Sequence, residues 1–71
     1  MTSRMEKLAV IFQEAAEAER QARLRYEEAA SLCDDPVLKA LLISMAEDEG
    51  RHEQEVIGRF RDLARQVGGV N

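Results

Sequence analysis

The sequence is poor in the residues that stabilise small independent domains. Its 71 residues include one cysteine, Cys33, one proline, no tryptophan, one tyrosine and two phenylalanines. A lone cysteine excludes an intrachain disulfide and suits a reducing compartment, so we expect a cytoplasmic protein. A chain this short buries little apolar surface by itself, and such small folds usually need a metal or a partner chain.

Long apolar runs and an excess of basic residues are also absent. No stretch approaches the roughly 20 apolar residues that cross a bilayer, and residues 1–6 lack the apolar core of a signal peptide. The formal net charge is −4, whereas nucleic-acid binding depends on dense Lys and Arg contacts to phosphate. We therefore expect no membrane and no nucleic acid as partners, and the acidic balance suits cation binding.

The residues that are present favour long helices. Ala, Glu, Leu and Arg dominate the composition, and glycine and proline are absent before Pro36. Ser3 and Glu6 have the spacing of a capping box at the start of a first helix. Asp35 is a good N-cap, and Pro36 suits the first position of a second helix.

The predicted fold is therefore all-α, an antiparallel two-helix hairpin in a single domain. Gly68 and Gly69 should stop the second helix, whereas Gly50 and Gly58 lie inside it and weaken it. The predicted bounds are residues 1–71 for the domain, 3–33 for helix one, 34–35 for the turn and 36–67 for helix two.

Apolar residues recur at alternating steps of three and four along both predicted helices, which is the a/d seam of a helix bundle. Two helices with apolar stripes still leave one face open, and a dimer that forms a four-helix bundle is the simplest closure. We therefore expect a homodimer or a higher even-numbered homo-oligomer. The stripe comprises Met5, Leu8, Phe12, Ala15, Glu19, Ala22, Tyr26, Ala29 and Cys33, then Leu38, Leu42, Met45, Glu49, His52, Val56 and Leu63.

Three polar residues interrupt this stripe: Glu19, Glu49 and His52. At about 1.5 Å rise per residue, all three lie at a similar height, roughly 22–26 Å from the turn. Glu49 and His52 are three residues apart and project from one helix face. Two carboxylates and one imidazole should therefore converge at the middle of the hairpin.

A two-fold axis past this point would double the set to four Glu and two His, the constellation of a di-iron carboxylate site. Carboxylate oxygens can bridge two iron ions, and one imidazole per metal leaves open positions for oxygen or peroxide. Four carboxylates also balance the charge of two ferrous ions. The open alternatives are a buried hydrogen-bonded polar cluster, a solvated helix face, and a site that holds zinc or manganese without turnover.

At these residues the chain resembles the rubrerythrin-like ferritins, and most closely the encapsulated ferritins. The likeness covers about residues 12–60. It comprises Glu19, Tyr26 seven residues on, the turn at Asp35 and Pro36 followed by Leu38, and the segment Glu49-Gly50-Arg51-His52. Unlike rubrerythrins, the chain carries one helix pair and no Cys-pair iron domain.

The resemblance implies a ferroxidase with a ferritin-like four-helix bundle. It implies that Glu19, Glu49 and His52 bind and oxidise iron at a di-iron site shared between two chains, for iron storage or detoxification. It places Tyr26 beside the site, where it either hydrogen-bonds a ligand carboxylate or simply packs. It also implies an encapsulin shell as a partner, with the protein inside an encapsulin nanocompartment.

Three further residues near this seam need an interpretation. We expect Cys33 to fill space at the turn as a small apolar side chain. Glu53 and Glu55 flank His52, and we expect both on the solvated surface. Support of the imidazole, or a route for incoming iron, is the alternative role of these two carboxylates.

Overall fold

The computed structural model describes residues 3–68, and all regular structure in that range is helical. Helix α1 spans Arg4–Leu32, and helix α2 spans Pro36–Gly68. The short link between them folds α2 back along α1, and the two helices pack against each other. The prediction of an all-α two-helix hairpin is confirmed.

The start of α1 is fixed by the predicted capping box. The Ser3 hydroxyl accepts a hydrogen bond from the Glu6 amide at 3.0 Å, and the Glu6 carboxylate accepts one from the Ser3 amide at 2.7 Å. At the other end, Cys33 is the C-cap, and its amide donates to the carbonyl of Ala30. Because Ser3 and Cys33 are caps, α1 is one residue shorter at each end than predicted.

The start of α2 also follows the sequence. Asp35 accepts a hydrogen bond from the Leu38 amide at 2.7 Å, so its carboxylate caps the helix whose first residue is Pro36. At the far end, the described helix runs through Gly68 instead of ending at Val67. The second residue of the predicted stop, Gly69, lies outside the described residues.

The hairpin encloses very little core. Among the described residues, only Ala30 and Ala46 are buried, and each is still 5% exposed. Near the open end, the rings of Phe12 and Phe60 stack with centroids 5.3 Å apart. The radius of gyration is 16.3 Å, whereas a compact domain of this length has about 11 Å. The chain is an elongated single layer, so its apolar side chains lack a second layer to pack against.

Several large apolar side chains are consequently exposed in the single hairpin. The most exposed lie at the turn, where Leu32 is 76% and Val37 is 79% exposed. The others are Val10, Ile11, Leu24, Leu38, Leu41 and Ile43. Within residues 3–68, no helix is long and apolar enough to cross a membrane.

Candidate metal centre

The three polar residues of the seam converge between the two helices. Glu19 comes from the middle of α1, and Glu49 and His52 come from α2. Each offers one possible ligand atom, and these atoms all lie within 4.8 Å of one another. The structure therefore brings together all three residues that the sequence predicted as metal ligands.

The imidazole of His52 lies between the two carboxylates. Its Nδ1 atom is 3.2 Å from Oε2 of Glu19 and 3.9 Å from Oε1 of Glu49. The first contact joins the two helices, whereas the second is a step of three residues within α2. The helix periodicity puts Glu49 and His52 side by side, and the hairpin supplies Glu19 opposite them.

The cluster is partly sheltered but open on one side. The side chains of Glu19 and Glu49 are 27% and 21% exposed, whereas that of His52 is 47% exposed. Solvent and small ions can therefore reach the imidazole edge directly. The carboxylates are shielded enough to interact more strongly than charges on an open helix surface.

The proximity of the two carboxylates raises the pKa of Glu49. The main cause is a hydrogen bond with Glu19, which the protonated form of Glu49 donates; desolvation and the negative charge of Glu19 act in the same direction. His52 acts in the opposite direction. Protonation of Glu49 would relieve the repulsion between the two ionised carboxylates, and a bound cation would relieve the same repulsion.

The donor set fits a divalent transition metal. Carboxylate oxygens and a neutral imidazole nitrogen are the ligands that iron, zinc and manganese accept. Three protein donors leave open coordination positions on a bound ion, as catalytic metal sites require. One hairpin supplies half of the four Glu and two His of a di-iron site.

The structure does not connect Tyr26 to this cluster. Tyr26 lies two helical turns from Glu19 on α1 and is half-buried. Among the described residues, its hydroxyl makes no hydrogen bond. A role for Tyr26 beside the metal stays a prediction from the resemblance.

The expectation that Glu53 is a solvated surface residue is wrong. Its side chain is 16% exposed, and its carboxylate lies 3.9 Å from Nε of Arg23 on α1. Glu55 is exposed, as expected. The sequence signal for this contact is Gly50: a glycine inside a helix weakens it unless another part of the molecule needs the space. The side chain of Arg23 occupies that space.

The raised pKa of Glu49 predicts how stability depends on pH in the metal-free protein. The folded-state pKa lies above the ordinary value of 4.5, so the folded state holds the Glu49 proton more tightly than the unfolded state. Lowering the pH through that folded-state pKa should therefore stabilise the protein, and raising it should remove the gain. Glu49→Gln cannot ionise and should lose this part of the pH dependence.

Thermal melting in the presence of a chelator, at about pH 7 and about pH 5, checks this expectation. The pH range ends at about 5 because hydrogen bonds lower the pKa values of Glu6 and Glu17 from 4.5. Protonation of these two groups below that pH should destabilise the folded state, which is the opposite of the effect expected from Glu49. Equal pH dependence in wild type and Glu49→Gln would contradict it.

Comparison with known proteins identifies no relative: no family model, curated protein or solved structure matches the chain. The resemblance to ferritins therefore stays a prediction from the residue spacing.

Proposed function

We propose that this chain is a ferritin-like ferroxidase, which oxidises Fe(II) to Fe(III) at a di-iron site formed between two copies, for iron storage or detoxification. The observation that carries the proposal is the convergence of Glu19, Glu49 and His52 within 4.8 Å. Fe(II) is the substrate in this scheme. Each chain contributes two carboxylates and one imidazole.

Exposed apolar residues along the two helices support the presence of a second copy. Counted in steps of three and four from His52, the same side of α2 carries Met45 and Leu38. Leu38 is 46% exposed, Leu41 nearby is 54% exposed, and Ile11 on α1 is 57% exposed. Packing this face on its two-fold mate removes apolar area from water and completes a four-helix bundle.

The same packing would bring two sets of donors together. The two carboxylates of each chain would then face those of the other, and the resulting four negative charges suit two ferrous ions. Burial of the His52 edge would exclude bulk water and leave room for a small oxidant. Two Fe(II) ions together release two electrons, which reduce one O₂, with two protons, to hydrogen peroxide.

A second candidate function is a non-catalytic metal-binding or structural dimerisation hairpin. The observation that favours it is the 3.2 Å contact between His52 and Glu19. In this arrangement the polar residues lie against one another across the two helices without an ion. The exposed apolar face supports dimerisation under either function.

Anaerobic titration with Fe(II), followed by exposure to air, separates these functions. The ferroxidase should bind about one ion per chain and develop ferric absorbance on air exposure much faster than free Fe(II) does. Binding without faster oxidation would support a metal-binding module, and absence of binding would support a structural hairpin. Glu55→Ala is the matched control, because it removes an exposed carboxylate of α2 outside the cluster.

The resemblance also implies an encapsulin shell as a partner and an encapsulin nanocompartment as the location. Both stay predictions. Co-purification of the chain with a co-expressed shell protein tests them separately from the ferrous titration.

A further inference from the structure

The side chain of Arg23 reaches from α1 to α2 next to the candidate site. It lies one helical turn from Glu19 on α1, and its partner Glu53 directly follows His52 on α2. The Nε atom of Arg23 is 3.9 Å from Oε1 of Glu53, and NH1 is 3.2 Å from Oε2 of Glu27. Arg23 therefore ties α1 and α2 together beside the donors.

Gly50 makes this crossing possible. A Cβ atom at position 50 would lie 3.3 Å from Cδ of Arg23 and 4.0 Å from its Nε. The arginine stem thus passes directly over the backbone of α2, next to the ligand Glu49. Gly58, the other glycine inside α2, would meet nothing within 4 Å, so close approach explains one glycine and not the other.

This ion pair differs from most of the others in the hairpin. Within residues 3–68, the other Arg–carboxylate pairs join residues three or four apart on one helix. The pair of Arg23 with Glu53 joins α1 to α2, and its side chains are only 30% and 16% exposed. At 3.9 Å the pair is a charge–charge contact without a hydrogen bond, and its partial burial reduces the screening of that attraction by water.

The loose packing around the donors explains why a contact between Arg23 and Glu53 would matter for the alignment of α1 with α2. Among the described residues only Ala30 and Ala46 are buried, and the other side chains between the helices are partly exposed. Partly exposed side chains restrict the sliding of one helix along another less than a close-packed core does. The Phe12–Phe60 stack lies on the open side of the site, and Arg23 secures the side nearer the turn.

We propose that Arg23 is a positioning residue, which crosses α2 at Gly50 to pair with Glu53 and thereby holds Glu19 at the height of Glu49 and His52. A slip of one residue would move Glu19 by about 1.5 Å along the axis. Metal–ligand distances deviate from their standard values by only about 0.2 Å, so such a slip would disrupt the site. The positive charge of Arg23 also offsets part of the negative charge of Glu53 beside the site.

The inference rests on the proposed function, because it assigns Arg23 to the same metal site. Two variants remove the tie differently: Arg23→Met deletes the charge, and Gly50→Ala displaces the arginine stem while keeping every charge. Each has a matched control. Arg20→Met removes an exposed arginine paired with Glu17 on its own helix, and Gly58→Ala adds a methyl group in open space.

The probe is Co(II) under anaerobic conditions, because its visible absorption reports both affinity and ligand geometry. Arg23→Met and Gly50→Ala should each bind Co(II) about tenfold more weakly and give an altered spectrum. In the metal-free state, the circular dichroism and sedimentation of both variants should match those of the wild type. In ferrous oxidation, both variants should show a lower kcat as well as a higher KM. Both controls should behave as the wild type does in all four measurements.

The outcomes separate the two proposals. If wild type binds Co(II) and both variants match their controls, the role of Arg23 is overturned and the ferroxidase proposal stands. If wild type binds no Co(II) and oxidises no Fe(II), both proposals fail. A lower melting temperature with an unchanged Co(II) spectrum would show a purely structural pair and overturn the positioning role. If Arg23→Met does not fold, Gly50→Ala alone decides.

Discussion

Glu49→Ala is expected to abolish ferrous oxidation without destabilising the metal-free protein. Glu49 supplies one of the two carboxylates in each half of the proposed site, so its loss removes oxygen donors that no neighbour replaces. In the metal-free state, a hydrogen bond with Glu19, desolvation and the negative charge of Glu19 together raise the pKa of Glu49, and the two carboxylates repel each other when both are ionised. Removing Glu49 ends this repulsion, so stability should stay the same or increase.

Ferric absorbance after air addition and thermal melting in chelator measure the two halves of this expectation. His52→Ala should also abolish oxidation, since it removes the only imidazole of the chain. Glu55→Ala should leave both measurements unchanged. A clear loss of stability in Glu49→Ala, together with normal iron uptake, would show that Glu49 is an ordinary core polar residue and overturn the metal site.

Metal binding is expected to drive assembly into even-numbered oligomers. In the proposed site each hairpin carries half of the donors, so the complete two-metal site would exist only in the associated state, and metal would add free energy to that state alone. At a free metal concentration a hundredfold above Kd, the added stabilisation is about 2.7 kcal/mol per site. Two sites per dimer would make a large change in the association constant.

Sedimentation of dilute protein with and without Fe(II), or with Zn(II) as a redox-inactive surrogate, measures this effect. The metal-loaded protein should shift from small to larger even-numbered species, and a chelator should reverse the shift. Glu49→Ala should show no metal-dependent shift. A monomer that binds two ions tightly would exclude a site shared between chains.

Interactions within one helix or turn were predictable from the sequence. The capping box of Ser3 with Glu6 and the cap of Asp35 on Leu38 each join residues three apart, so sequence spacing alone defines them. The convergence of Glu19 with Glu49 and His52 was also predictable, because one short turn fixes how two regular helices pair. Periodicity and a fixed rise were sufficient for both.

The contact of Arg23 with Glu53 was not predictable in the same way. Glu53 directly follows His52, and its spacing alone predicts a position at the edge of the apolar stripe, on the solvated surface. Whether such a residue faces its partner helix or water depends on how far each helix is rotated about its axis, and a long flexible side chain on α1 decides the outcome. A glycine at position 50, inside a helix, was a sign that another group approaches closely there. The sequence did not show which group, because Arg23 lies on the other helix.

Only two alanines are buried among the described residues, and this changes what a melting temperature would mean for the proposed dimer. In that dimer much of the free energy that keeps the helices together would come from the partner copy, and the free energy of association depends on the chain concentration. Unfolding is then also dissociation, and its midpoint rises with protein concentration. Two variants of such a dimer can be ranked by stability only at a stated chain concentration. A lower concentration in the cell would also lower the fraction of chains that are folded.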